Sequence, residues 1–177
     1  MKMMEKGYIQ IYTGNGKGKT TAAMGLALRA SGAGLKTIII QFMKGQYYSE
    51  LDAVKLLKDY IKIEQFGSRS FRKPGDKDSR EHHELAKKGY ARAMEVLKGN
   101  DYSIIILDEI ITSLKSGLIT LEEIFKLIEI KPENIELILT GRGAPEELIK
   151  KADLVTEMKE IKHYYNEGVD ARVGIEK

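Results

Sequence analysis

Nine consecutive residues, Thr13-Gly-Asn-Gly-Lys-Gly-Lys-Thr-Thr21, constrain this chain more than any other stretch. An apolar run, Tyr8 to Thr13, leads into them. A helical segment with small apolar residues at Ala22, Ala23, Leu26 and Ala30 follows from near Lys19 and meets stop signals at Gly32 and Gly34. The order is therefore strand, glycine-rich turn, helix. Glycines in such a turn let successive backbone N–H groups converge on an anion, because no Cβ blocks the approach. The start of the helix adds its own partial positive charge. Lys19 can reach phosphate oxygens as a point charge, and the Thr20 hydroxyl can ligate a Mg²⁺ that those phosphates hold.

The general phosphate-loop pattern is G-x-x-x-x-G-K-[ST]. Gly18, Lys19 and Thr20 match it, whereas Thr13 stands at the first glycine position. The dinucleotide fingerprint fits worse, since it needs a third glycine where this chain has Lys19. A glycine-rich turn with nothing bound is the plain alternative. Against it, Lys17 and Lys19 crowd one turn with no carboxylate nearby in sequence, and an anion relieves their repulsion.

The rest of the chain alternates in the same way. Thr37–Phe42, Ile61–Phe66, Ser103–Leu107, Ile135–Leu139 and Leu154–Met158 read as strands. Helices are predicted from a Ser49 cap to about Asp59, from Asp76 to Lys98, from a Thr120–Glu123 capping box to a stop before Pro132, and with Pro145 in the first turn of a short one. Most strands are continuous apolar runs rather than alternating ones, which predicts an α/β fold with a mostly parallel sheet flanked by helices. At 177 residues, with no repeat or linker, a single domain over residues 1–177 is expected. Lys159 to Lys177 reads as an irregular tail.

Composition narrows the function classes. With no Cys there is no disulfide, no thiolate metal site and no Cys nucleophile. A balance of 29 basic against 26 acidic residues is too mild to argue for nucleic acid, and no apolar run is long enough to span a bilayer. A soluble, cytoplasmic chain is expected.

A second half of the site is predicted at Asp108-Glu109, where an apolar strand ends at the edge to which parallel strands deliver the phosphate loop. A carboxylate there holds Mg²⁺ or caps the turn that follows; beside a phosphate loop the metal role is favoured. Arg142, in Thr140-Gly-Arg-Gly143, is placed to clamp a phosphate or carboxylate, or else lies solvated on a turn. His82 and His83 are adjacent on a helix and point apart, so they form no site alone. Tyr47, Tyr48, Tyr164 and Tyr165 can stack on a ring or simply pack. The residues alone leave open a small-molecule kinase, an NTP hydrolase, or a nucleotide-binding module without turnover.

Four runs together resemble the P-loop type corrinoid adenosyltransferases: YTGNGKGKTTAAMGLALRASGAGLKTIIIQFMKG, IIILDE, LTGRGAP and ADLVTEMKEIKHYYNEGVDARVGIEK. The likeness runs in order from Tyr12 to Glu176, and Thr13 is characteristic of the family. It implies a RecA-like P-loop NTPase fold, usually a homodimer. The implied reaction transfers the 5′-deoxyadenosyl group of ATP to Co(I) of a corrinoid such as cobalamin or a precursor, and releases triphosphate. Mg²⁺ and a separate electron-donating reductase are implied, as is a nucleotide held in reverse with its γ-phosphate deep in the loop. By matching position, Thr13, Gly14, Asn15, Gly16, Lys17, Gly18, Lys19, Thr20, Thr21 and Arg142 hold the nucleotide. Lys19, Thr20 and Glu109 are catalytic, and Thr20, Glu109 and Asp108 ligate the metal. Phe71, Arg69 and His163 are the corrinoid candidates, Phe71 against the lower face of the ring. Some relatives carry a Trp in that stretch and this chain has none.

Overall fold

The computed structural model describes residues 4–68 and 79–177. Six strands, β1 (Ile9–Thr13), β2 (Thr37–Phe42), β3 (Ile61–Phe66), β4 (Ile104–Asp108), β5 (Glu136–Thr140) and β6 (Leu154–Glu157), form one sheet in the order β3-β2-β4-β5-β1-β6. Every pairing is parallel. The helices are α1 (Lys19–Gly32), α2 (Glu50–Lys55), α3 (Ser79–Lys98), α4 (Ile110–Lys115), α5 (Leu121–Glu129) and α6 (Glu146–Ile149), with a 3₁₀ turn at Tyr164–Glu167.

The continuous apolar strands resolve into two buried faces. Ile38, Ile40, Phe42, Ile105 and Leu107 face the core under α3, α4 and α5. Ile39, Ile104, Ile106 and Ile138 face the core under α1. Period-two alternation is thus present, but both faces are covered and both select apolar residues. Helix α1 packs through Ala23, Ala27 and Ala30, whose small side chains let it lie close to the sheet; Ala22, expected in that stripe, is exposed. Helix α5 begins with the expected capping box, the Thr120 hydroxyl accepting from Glu123 N and the Glu123 carboxylate accepting from Thr120 N.

Several boundaries differ from the sequence expectations. Helix α2 ends at Lys55 and not near Asp59; it buries no residue, so little packing favours further turns. Ser49 makes no capping bond there, because its hydroxyl donates to Lys177 O. Helix α4 follows β4 at once. Pro145 takes the position just before α6 rather than its first turn. The predicted start of α3 at Asp76 lies outside the described residues. Among these, no helix is long and apolar enough to cross a membrane.

Register explains what the sheet is for. Tyr12 pairs with Thr140, Gln41 with Asp108 and Leu107 with Leu139, so β1, β2, β4 and β5 end at one level. The phosphate loop, Met43-Lys44, Glu109 and Gly141-Arg142 therefore leave the sheet from one edge, where parallel α/β sheets place their ligands.

Candidate active site

At that edge lies a cavity of about 500 Å³, lined by loop residues Gly16 to Thr21, by Lys44, Glu109, Arg142 and His163, and by the tail from Gly174 to Lys177. The loop is held by its neighbours. Thr13 O accepts from Met158 N at 2.8 Å, and Gly16 N donates to Met158 O at 2.7 Å. A Cβ on Gly16 would stand 2.7 Å from Met158 O, so only glycine fits there. Gly18, which enters α1 with φ of +121°, meets the same demand through its backbone angle. The Thr13 hydroxyl accepts from Ala144 N at 3.2 Å, tying the loop to the turn after β5. That bond gives the threonine in place of the usual glycine a structural use. Thr13, Gly14 and Asn15 lie off the cavity lining.

The Lys19 ammonium curls back onto the loop, donating to Gly14 O at 2.7 Å and Gly16 O at 2.8 Å. Burial pushes it below the ordinary lysine value; Glu109 pulls the other way and Arg142 adds to the lowering. Lys17 has a carboxylate after all, supplied from far along the chain: Glu176 Oε1 lies 2.7 Å from its ammonium. Tyr164 bonds both partners, and the Arg172 guanidinium bonds Glu176. The Arg172 side chain, then Lys17, Tyr164 and the Arg172 N–H hold the Glu176 carboxyl far below its usual range.

The acidic pair divides into two environments. Asp108 is fully buried. Its Oδ1 accepts from the Thr20 hydroxyl at 2.9 Å and the Thr140 hydroxyl at 2.7 Å; its Oδ2 accepts from Gln41 at 3.2 Å and the Lys44 ammonium at 2.9 Å. Burial works to lower the Lys44 pKa, but Asp108 outweighs it and the ammonium stands above its ordinary value. Glu109 opens α4 in the left-handed region with φ of 62°. Its N–H is fixed by the Thr140 hydroxyl at 2.9 Å, its carboxylate accepts from Thr112, and it lines the cavity. Its oxygen, with the Thr20 hydroxyl, is the hard donor type that suits Mg²⁺.

Of the residues read from the sequence, the structure thus brings Gly16 to Thr21, Glu109, Arg142 and His163 to one cavity and sets Asp108 beneath it. His163 Nδ1 accepts from Tyr165 N at 3.1 Å and caps the 3₁₀ turn. Phe71 and Arg69 lie outside the described residues. Lys44, Arg172 and Glu176 were not read as site residues, and Tyr164 was read only as a residue that stacks on a ring or packs. Lys44 had a signal, because it sits two residues beyond a buried strand that ends at the phosphate-loop edge.

A parallel sheet of this topology with its phosphate loop after β1 defines a RecA-like P-loop NTPase fold. A solved KaiC-like protein from Pyrococcus horikoshii shares it, with a TM-score of 0.54 over 90% of this chain and 76% of that one, at 15% identity. The family model "ATP:corrinoid adenosyltransferase BtuR/CobO/CobP" matches residues 5–176. Corrinoid adenosyltransferases of Escherichia coli K12 and of Sinorhizobium sp. are 34% and 35% identical to this chain, covering 97% and 99% of it and 86% and 82% of their own lengths. The chain belongs to this enzyme family, the ATP:corrinoid adenosyltransferases.

Proposed function

We propose that the chain moves the 5′-deoxyadenosyl group of ATP onto Co(I) of a corrinoid. The observation that carries this is the convergence of Lys17, Lys19, Lys44 and Arg142 with the glycine loop on a cavity that Glu109 also lines. In the step, the cobalt electron pair attacks C5′ and forms the Co–C bond. The C5′–O bond breaks, and its electron pair leaves on the triphosphate. Co(I) is itself the nucleophile, so the protein's work is to hold C5′ in line and to stabilise charge on the leaving group. Lys19 can exchange the Gly14 and Gly16 carbonyls for phosphate oxygens along its flexible stem. Thr20 and Glu109 would hold Mg²⁺, which when bound supplies neutralising charge to the triphosphate. His163 stands on the cavity wall, and in this scheme it would contact the corrinoid. A single domain, a homodimer, a cytoplasmic setting and a separate reductase that brings cobalt to Co(I) complete the proposal.

The test supplies ATP, Mg²⁺ and a chemically pre-reduced Co(I) corrinoid without oxygen. Triphosphate should appear in step with alkylated corrinoid. Lys19→Ala should slow this by roughly 10²–10³-fold, the usual loss when one pre-placed donor to a developing anion is removed. Release of ADP or orthophosphate in place of triphosphate would mean a kinase or hydrolase and overturn the proposal.

A further inference from the structure

Lys44, which follows β2, is a cavity cation whose place the phosphate-loop pattern does not explain. An ionised aspartate offers about four lone-pair sites. All of those on Asp108 have donors, from Thr20, Thr140, Gln41 and Lys44. The Lys44 ammonium is used on three sides: 2.9 Å from Asp108 Oδ2, 3.2 Å from Thr20 Oγ1, and 5.2 Å from the centre of the Tyr48 ring. It stands between the hydroxyl and the carboxylate that a phosphate-loop site offers to a divalent cation, and its side chain is only 14% exposed. Among the described residues no group of three or more His, Asp or Glu side chains is arranged to hold a metal. The protein alone therefore offers a cation few ligands.

We propose that Lys44 is a positioning residue of the metal–nucleotide site. Its ammonium occupies the place between Thr20 and Asp108, keeps Asp108 out of metal coordination, and leaves divalent metal to enter only with phosphate oxygens, on Thr20 and Glu109. A salt bridge serving stability alone would need no contact with Thr20, whereas Lys44 bonds that hydroxyl and so fixes its orientation at the cavity. Thr20 donates its proton to Asp108 and accepts from Lys44, which leaves one hydroxyl lone pair for a ligand. The inference rests on the proposal that a metal nucleotide binds here.

The experiment titrates Mn²⁺ into the protein without nucleotide and follows the free-ion signal by electron paramagnetic resonance. Wild type should leave Mn²⁺ free. Lys44→Met should bind one Mn²⁺ per chain at least roughly tenfold more tightly, the scale on which groups around a metal site act. Adding Asp108→Asn to Lys44→Met should abolish that gain. Lys44→Ala, which likewise removes the donor from Asp108, carries the same expectation should Lys44→Met fail to fold, with circular dichroism as the check. No gain in folded Lys44→Ala or Lys44→Met, or a gain that survives Asp108→Asn, would overturn the assignment while leaving the transferase proposal standing. A second arm compares ATP affinity of wild type with and without Mn²⁺. Tighter binding with Mn²⁺ is expected; equal affinities would overturn the metal–nucleotide site, and the role of Lys44 with it.

Discussion

Asp108 and Glu109 are neighbours in sequence with opposite placements. Asp108 is sealed and saturated with donors, while Glu109, in the left-handed region, turns its carboxylate to the cavity. A non-glycine residue costs about 1–2 kcal/mol in that conformation, and here the Thr140 hydroxyl on the Glu109 N–H helps to hold it. The pair should separate cleanly by mutation. Asp108→Asn strands the Lys44 ammonium and should cost about 3–5 kcal/mol of stability. Glu109→Gln should cost within about 1 kcal/mol but weaken Mg²⁺-dependent ATP binding. Urea unfolding of both variants, with ATP titrations at fixed Mg²⁺, checks this; equal stability losses would contradict it. The sequence marked both carboxylates because strand, loop and helix signals are local. Residue types and spacing alone did not apportion their roles, since those depend on Lys44 and Gln41, 64 and 67 residues from Asp108; only the family resemblance set Glu109 apart as catalytic.

Among the elements, the strands were legible and the tail was not. The run Thr37–Phe42 falls where the apolar pattern put it, because burial on both faces of the sheet writes itself as consecutive apolar residues, whereas the edge strand Ile61–Phe66 was legible from its alternation. Helix ends and α4 were less legible, since short helices are set by packing more than by propensity. The tail carries no periodicity at all; it is held by the Glu176 contacts to Lys17, Tyr164 and Arg172 and by Ser49 on Lys177 O. In the proposed scheme the Glu176 carboxylate competes with phosphate for the Lys17 ammonium. Glu176→Gln should therefore tighten binding of inorganic tripolyphosphate several-fold by calorimetry; weaker binding would mean that the tail is needed as a wall. The folded carboxyl is depressed below its ordinary 4.5, so the clamp's contribution is complete above that pH and is lost only as pH falls further toward the folded value. Between pH 5 and 8 the difference between wild type and Glu176→Gln should stay flat, apart from the titration of tripolyphosphate itself.

The whole molecule is a device for bringing distant residues to one edge. The chain leaves β1, passes β5 and β4 to reach β2, and later returns from β5 past β1 to β6, so the phosphate loop lies among strand ends from both halves. Parallel pairing aligns those ends, which is why Thr20, Lys44, Asp108 and Thr140 meet despite their spacing. The fold class was legible from alternation of strands and helices, and the family from runs spread over nearly the full length. The cavity's polarity was only half legible, because cations and carboxylates from the loop, β2, β4 and the tail combine only in three dimensions. The most direct test of the proposed chemistry uses ATP labelled with carbon-13 at C5′, a Co(I) corrinoid and anaerobic conditions, with the label followed by NMR. Adenosyl transfer predicts a labelled carbon bonded to cobalt, lost on illumination, beside unlabelled intact triphosphate. A label that stays in ADP or another nucleotide phosphate, with no cobalt-bound carbon, would contradict it.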